Sequence, residues 1–227
     1  AEVMFKFTSY IMYLAPLGVG AAMAASVAEH GWQVIVPLLK LVGTLYVALA
    51  AFLLLVLYPV CRAFKIPALR FIKHIKDPVI LAFATTSSES AYPMALERME
   101  KLGIPRRISS FVLPMGYSFN LDGSTLYLAL ASIFVAQAAG VHMSLGQQLI
   151  MMLTLMLTTK GVAAVPRASL VVLSGTLVAF GLPLEGIALI LGVDEFMDMA
   201  RTAVNLLGNC LATAVVARWE GIDLQEI

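Results

Sequence analysis

Asp194, Asp198, Arg201, Asn205 and Asn209 recur at spacings of four, three, four and four inside an otherwise apolar stretch. At about 100° per residue a helix gathers all five within an arc of roughly 80°. The flanking residues 187–192 and 211–216 are apolar apart from Thr213. Each ionisable group in a membrane span costs about 2.5–3.5 kcal/mol to insert. A span that keeps several of them on one face turns that face toward protein or toward a polar ligand held at mid-membrane.

The rest of the chain fits a membrane setting. It is 60% hydrophobic and 13% charged, against about 25% charged in ordinary soluble domains, and its mean hydropathy is +0.90. The apolar runs are long and continuous rather than alternating, which argues for helices and against a β-barrel. A net charge of +1 offers no field for nucleic acid. Cys61 and Cys210 sit at the end of one apolar run and inside another, and read as small buried hydrophobes rather than a disulfide or a metal pair. The chain starts at Ala1 without a signal peptide, as expected of a fragment whose N-terminal partner segments lie elsewhere.

Residues 7–27 and 34–60 are each long enough to span. Two basic clusters follow: Arg62, Lys65, Arg70, Lys73 and Lys76, then Arg98, Lys101, Arg106 and Arg107. Basic loops favour the cytoplasmic side, yet one full span between these clusters would put one of them outside. Its centre is also Thr85-Thr86-Ser87-Ser88-Glu89-Ser90, with Pro93 beyond. Hydroxyl-rich, helix-breaking sequence at mid-membrane must line a cavity or be covered by protein. A re-entrant hairpin with arms of about ten residues resolves both facts. Residues 108–139 are interrupted by Asn120-Leu121-Asp122-Gly123-Ser124, which reads as a broken span with an unwound centre where carbonyls coordinate cations. Residues 147–180 repeat the hairpin, with outer flanks free of Lys and Arg, so this one enters from the extracytoplasmic side. Residues 187–217 form the last span. A hairpin followed by a polar span thus occurs twice in opposite orientations. The fold class is an all-α multi-pass membrane protein with an inverted repeat and discontinuous helices, the architecture of secondary transporters.

Four segments carry a resemblance: Thr86-Ser87-Ser88-Glu89-Ser90-Ala91-Tyr92-Pro93, Asn120-Leu121-Asp122-Gly123-Ser124, Gly161-Val162-Ala163-Ala164-Val165-Pro166, and Asp198-Met199-Ala200-Arg201-Thr202-Ala203-Val204-Asn205. In order and spacing they resemble the dicarboxylate/amino acid:cation symporter family, the glutamate transporters, and most nearly its bacterial proton/glutamate–aspartate members. The resemblance covers nearly the whole chain and implies that about four N-terminal spans are absent. It implies a homotrimer in a bacterial inner membrane, working as an elevator in which a transport domain slides against a scaffold. On that pattern residues 1–30 are a scaffold helix and 31–66 a linking helix of the transport domain. Residues 67–104 are the first hairpin, 105–140 the broken span, 141–182 the second hairpin and 183–220 the final helix.

The resemblance also assigns roles. Arg201 holds the substrate's side-chain carboxylate, Asp198 its amino group and Asn205 its main-chain carboxylate, with Thr202 and Ser124 alongside. The competing readings are an internal ion pair of Arg201 with Asp194 or Asp198, and a structural interhelical bond for Asn205. Ser87, Ser88, Ala164, Val165 and Ser169 line the pocket from the two tips. Asn120, Asp122, Gly116, Asn209 and Lys160 belong to cation sites. Three departures weaken sodium binding: Lys160 itself, Val162 where sodium-coupled relatives carry a hydroxyl, and Asn209 where they carry an Asp. Losing a negative ligand matters most for a hard cation. No firm metal site and no cofactor follow, although Asn120 and Asp122 keep a residual sodium site open. Glu89 stands where those relatives have a small hydroxyl residue, and is a candidate proton carrier beside Asp122 and Asp198; its competing reading is a pair with Arg167. The expected activity is proton-coupled symport of L-glutamate and L-aspartate, with sodium coupling or C4-dicarboxylate transport as the near alternative. An intramembrane enzyme is the distant one, since His30, His74 and His142 fall near loops and no GxSxG appears. A channel-like anion leak is a further class the residues leave open.

Overall fold

Helix formation follows the apolar runs in the computed structural model, which describes residues 10, 14–160 and 168–224. In chain order the helices are α1 (Ala15–His30), α2 (Trp32–Ala63), α3 (Ala68–Thr85), α4 (Ser88–Lys101), α5 (Arg106–Phe119), α6 (Asp122–Ala138), α7 (Leu145–Thr158), α8 (Ala168–Ala179) and α9 (Glu185–Trp219). The described residues contain no strand. Among the described residues three stretches are long and apolar enough to cross a membrane: α2, α5 with α6, and α9. At 1.5 Å per residue the 35 residues of α9 reach about 52 Å, more than a bilayer core. The first apolar run is described only from Tyr10 and Leu14 onward.

Turn chemistry sets the breaks. Thr86 adopts a left-handed conformation (φ +50°) between α3 and α4. Ser87 then caps α4, its Oγ accepting from the Ser90 amide at 3.3 Å. Pro93 lies inside α4, so the break falls at Thr86 and not at the proline. In the second turn the proline leaves the Glu89 carbonyl without its helical donor, a local cost that the helix carries without ending there. A reciprocal capping box opens α7: Ser144 Oγ accepts from the Gln147 amide and Gln147 Oε1 from the Ser144 amide, at 3.3 and 2.8 Å. Gly140 (φ +70°) closes α6.

Helix α2 contains one wide turn at Leu53–Leu57, where the Tyr58 amide reaches back to the Leu53 carbonyl. Pro59 follows directly, and its ring needs relief from the carbonyl four residues back. The buried side chains of α2 are Leu38, Leu41, Leu45, Leu49, Leu57 and Cys61. Two α-turns take about seven residues; with one residue added they take about eight, the Leu49-to-Leu57 interval, so the buried stripe stays on one face.

Two hydrophobic clusters make the core, and α9 runs through both. Leu206, Cys210, Leu211 and Ala214 pack with Phe71, Ile75, Met99 and Leu113 from α3, α4 and α5. Ile190, Val193, Met197 and Val204 pack with Leu38, Leu45, Tyr127, Leu128, Met151 and Leu173 from α2, α6, α7 and α8. The polar stripe lies where one cluster gives way to the other. Cys61 and Cys210 are free and buried, as their setting in apolar runs predicts. Large aliphatics such as Leu39, Leu54, Leu55, Leu153 and Leu157 face outward, as expected of a chain whose solvent is lipid.

The basic clusters gather acidic partners at one end. Arg98 pairs with Asp77, Lys101 with Glu97 at 2.6 Å and Arg106 with Glu100 at 3.5 Å. The first pair ties the middle of α3 to α4, the second lies within α4, and the third ties the foot of α4 to α5. The Lys101 ammonium, bonded to the exposed Glu97, holds that carboxyl below the usual carboxylate range.

Candidate functional site

All five stripe residues are buried on α9: Asp194, Asp198, Arg201, Asn205 and Asn209 are between 0% and 4% exposed. The helical spacing read from the sequence is what brings them to one face. They divide into two neighbouring groups.

The first group centres on Arg201. Its Nε donates to Asp198 Oδ1 at 3.0 Å, and its Nη1 lies 3.6 Å from Asp194 Oδ1. The guanidinium stacks over the Tyr127 ring of α6, 4.0 Å from the centroid. Thr202 Oγ1 also donates to Asp198 Oδ1, at 2.9 Å. The internal ion pairs weighed for Arg201 are therefore both present. Two carboxyls around one guanidinium leave one excess negative charge when all are ionised.

The second group joins α9 to the broken span. Asn205 Oδ1 accepts from the Gly123 and Ser124 amides at 2.8 and 3.3 Å, and its Nδ2 donates to Ser124 Oγ at 2.9 Å. Asn205 thus satisfies the first amides of α6, which an unwound start leaves without helical partners. One amide N–H of Asn205 remains beyond these bonds. Further along, the Asn120 side chain lies 2.9 Å from that of Asn209. As placed, Asn120 Nδ2 donates to Asn209 Oδ1; with the Asn120 amide turned over, its Nδ2 instead donates to the two Asp122 oxygens at 3.1 Å.

Three glycines make this approach possible. A Cβ on Gly123 would lie 2.8 Å from the Arg201 Cα, one on Gly208 would lie 2.9 Å from Asp122 Oδ2, and one on Gly116 would strike the Asn209 amide. Gly116, a cation-site candidate by resemblance, is thus the surface on which Asn209 rests.

Lys160 follows α7, and its Nζ donates to the Phe119 carbonyl at 2.7 Å. The tips are described in part. Ser87 and Ser88 start α4, Ser88 buried, and Thr85 Oγ1 lies 2.8 Å from Ser90 Oγ. Glu89 is in the first turn of α4, its charge acting on Tyr117. Ser169 is buried in the first turn of α8. Val162, Ala164, Val165 and Arg167 lie outside the described residues, as does any Glu89–Arg167 pair.

Sequence reasoning missed Tyr127, Gly208 and the close-approach role of Gly116 and Gly123. Tyr127 stands one turn after Ser124 on α6, so a same-face reading from Ser124 was the available signal. Among the described residues no group of three or more His, Cys, Asp and Glu is arranged to hold a metal ion.

The family model described as "Sodium:dicarboxylate symporter family" matches residues 1–219. A proton/glutamate-aspartate symporter of Bacillus subtilis is 52% identical over 221 residues, covering 97% of this chain and 53% of that protein. A proton/sodium-glutamate symport protein of Bacillus caldotenax is 50% identical over 221 residues, 97% of this chain and 52% of that protein. A C4-dicarboxylate transport protein of Mesorhizobium japonicum is 44% identical over 219 residues, 96% and 50% respectively. The chain spans about half the length of the curated relatives it matches.

Proposed function

The chain belongs to the sodium:dicarboxylate symporter family, a family of transporters and not of enzymes, and on that premise we propose that it forms part of a proton-coupled importer of L-glutamate and L-aspartate. The observation that carries the reading is the buried Asp198–Arg201 pair beside Asn205. An acidic amino acid presents a carboxylate to a guanidinium, which binds it bidentately, and an ammonium to a carboxylate. On this reading Arg201 exchanges its bond to Asp198 for the substrate's side-chain carboxylate. Asp198 takes the amino group, and the remaining Asn205 N–H meets the main-chain carboxylate. Thr202, Ser124, Ser87, Ser88, Ser169, Ala164 and Val165 complete the pocket.

Charge supports a coupled cation. The Asp194–Asp198–Arg201 group carries one excess negative charge when ionised, and the substrate adds another. Moving both through a low-dielectric region is costly unless positive charge travels with them. The proton is favoured over sodium by Asn209, which offers an amide where an acid would strengthen a hard-cation site. Glu89, Asp122 and Asp198 are the carriers proposed. The protein's place is a bacterial inner membrane, as a homotrimer in which residues 1–30 belong to the scaffold and most of 31–220 moves as an elevator-type transport domain, with residues 67–104 and 141–182 as the two re-entrant hairpins.

C4-dicarboxylate transport is the second reading, favoured by the names of some relatives. Asp198 opposes it, because a dicarboxylate brings no ammonium. Uptake of radiolabelled aspartate into proteoliposomes under imposed pH or sodium gradients tests the proposal. Uptake driven by the pH gradient is expected; uptake driven only by sodium overturns the proton assignment, and malate competing as well as aspartate overturns the substrate. Asp198→Ser is expected to weaken amino-acid uptake selectively.

A further inference from the structure

The broken span presents an electronegative end that needs a positive charge. Helix α5 stops at Phe119, Asn120 and Leu121 leave helical geometry, and Asp122 opens α6. The last carbonyls of a helix lack intrahelical partners and carry the negative end of its dipole. Asp122 adds a carboxylate just beyond them, and the Asn120 and Asn209 side chains stand alongside. Half-helix C-termini and unwound carbonyls of this kind coordinate coupling cations in transporters.

Here the position already holds a cation. Lys160 Nζ donates to the Phe119 carbonyl at 2.7 Å, and its charge acts on Asp122. A lysine in a membrane segment usually extends toward the membrane surface; this one, though exposed, is bonded to the end of a broken helix 41 residues away in sequence. An ammonium is a compact point charge with three donors, the side chain that most nearly imitates a bound monovalent metal ion. Charge counting agrees: Asp122 is the one acid among Asn120, Asp122, Asn209 and Gly116, and the Lys160 ammonium supplies one opposite charge that acts on it.

We propose that the Lys160 ammonium is a tethered cation, filling at the broken span the place of a sodium ion and so making the protein indifferent to sodium there. It joins the first arm of the second hairpin to the broken span permanently, where a free ion would join them only when bound. This specificity role rests on the transport reading above, but its test need not.

Lys160→Gln in the full-length protein keeps a donor for the Phe119 carbonyl and removes the charge. Thermal unfolding is measured in sodium chloride and in choline chloride at equal ionic strength. The native protein is expected to melt within about 1 °C in the two salts, and the variant to gain about 3 °C or more in sodium, as a site that binds the native state stabilises it by mass action. A variant with no sodium-specific gain overturns the proposal, and so does a native protein that shows the gain itself. Should Lys160→Gln not fold, Lys160→Met is put through the same comparison. Lys160→Arg, which keeps the charge, is expected to stay indifferent to sodium. Aspartate uptake is the second readout, with the variant falling roughly tenfold in choline and recovering in sodium. A native protein that moves no acidic amino acid overturns the transport reading, while the melting comparison still decides the role of Lys160.

Discussion

At the scale of single residues, Arg201 is held from three sides, by Asp198, Asp194 and the Tyr127 ring. Asp194 lies one turn before Asp198 and works on the same guanidinium, which assigns it a positioning role. Asp194→Asn is expected to weaken aspartate binding about tenfold, the loss of one charge-assisted contact, with Arg201 still present. Arg201→Ala is expected to abolish acidic-substrate binding. It should also lower the melting temperature, since removing one partner from a buried ion pair costs about 3–5 kcal/mol. Calorimetric titration with aspartate and thermal unfolding check both. The stripe was legible in the sequence because its spacing is a property of one helix. Tyr127 was legible only as a same-face neighbour of Ser124; that it meets Arg201 was not, because the contact joins two helices.

At the scale of elements, the contact between α6 and α9 depends on backbone approaching backbone. Gly123→Ala would set a methyl against the Arg201 backbone, and is expected to destabilise by about 1–3 kcal/mol as the helices are forced apart. Gly175→Ala on α8, where an added methyl meets nothing within 4 Å, is expected to stabilise by about 0.5–1 kcal/mol through helix propensity. Melting temperatures of the two variants should move in opposite directions. The breaks between α3 and α4 and between α5 and α6 were readable because hydroxyl-rich or Asn-Asp-Gly sequence interrupts apolar runs. The placement of Pro93 inside α4 was not, since a proline near a helix start and a proline beyond a break leave the same sequence. The wide turn in α2 left no compositional trace at all, being spelled in the same leucines as its neighbours.

At the scale of the whole molecule, the basic clusters and the hairpin reading make a statement about sidedness. Single cysteines at Lys76 and Lys101 are expected to react with a membrane-impermeant thiol reagent only from the cytoplasmic side, and one at Ser144 only from outside. Cys61 and Cys210, 5% and 0% exposed, should stay silent in the folded protein. Labelling of Lys76 and Lys101 from opposite sides would replace the first hairpin with a full span. The wide turn of α2 sets which side of the span faces the core. A span that gains a residue ordinarily swings everything downstream onto the wrong face. In α2 the odd residue is absorbed within Leu53–Leu57, and Leu57 and Cys61 keep facing the core. Deleting one residue from Leu53–Leu57 is therefore expected to turn Leu57 and Cys61 away from the core and to lower the melting temperature.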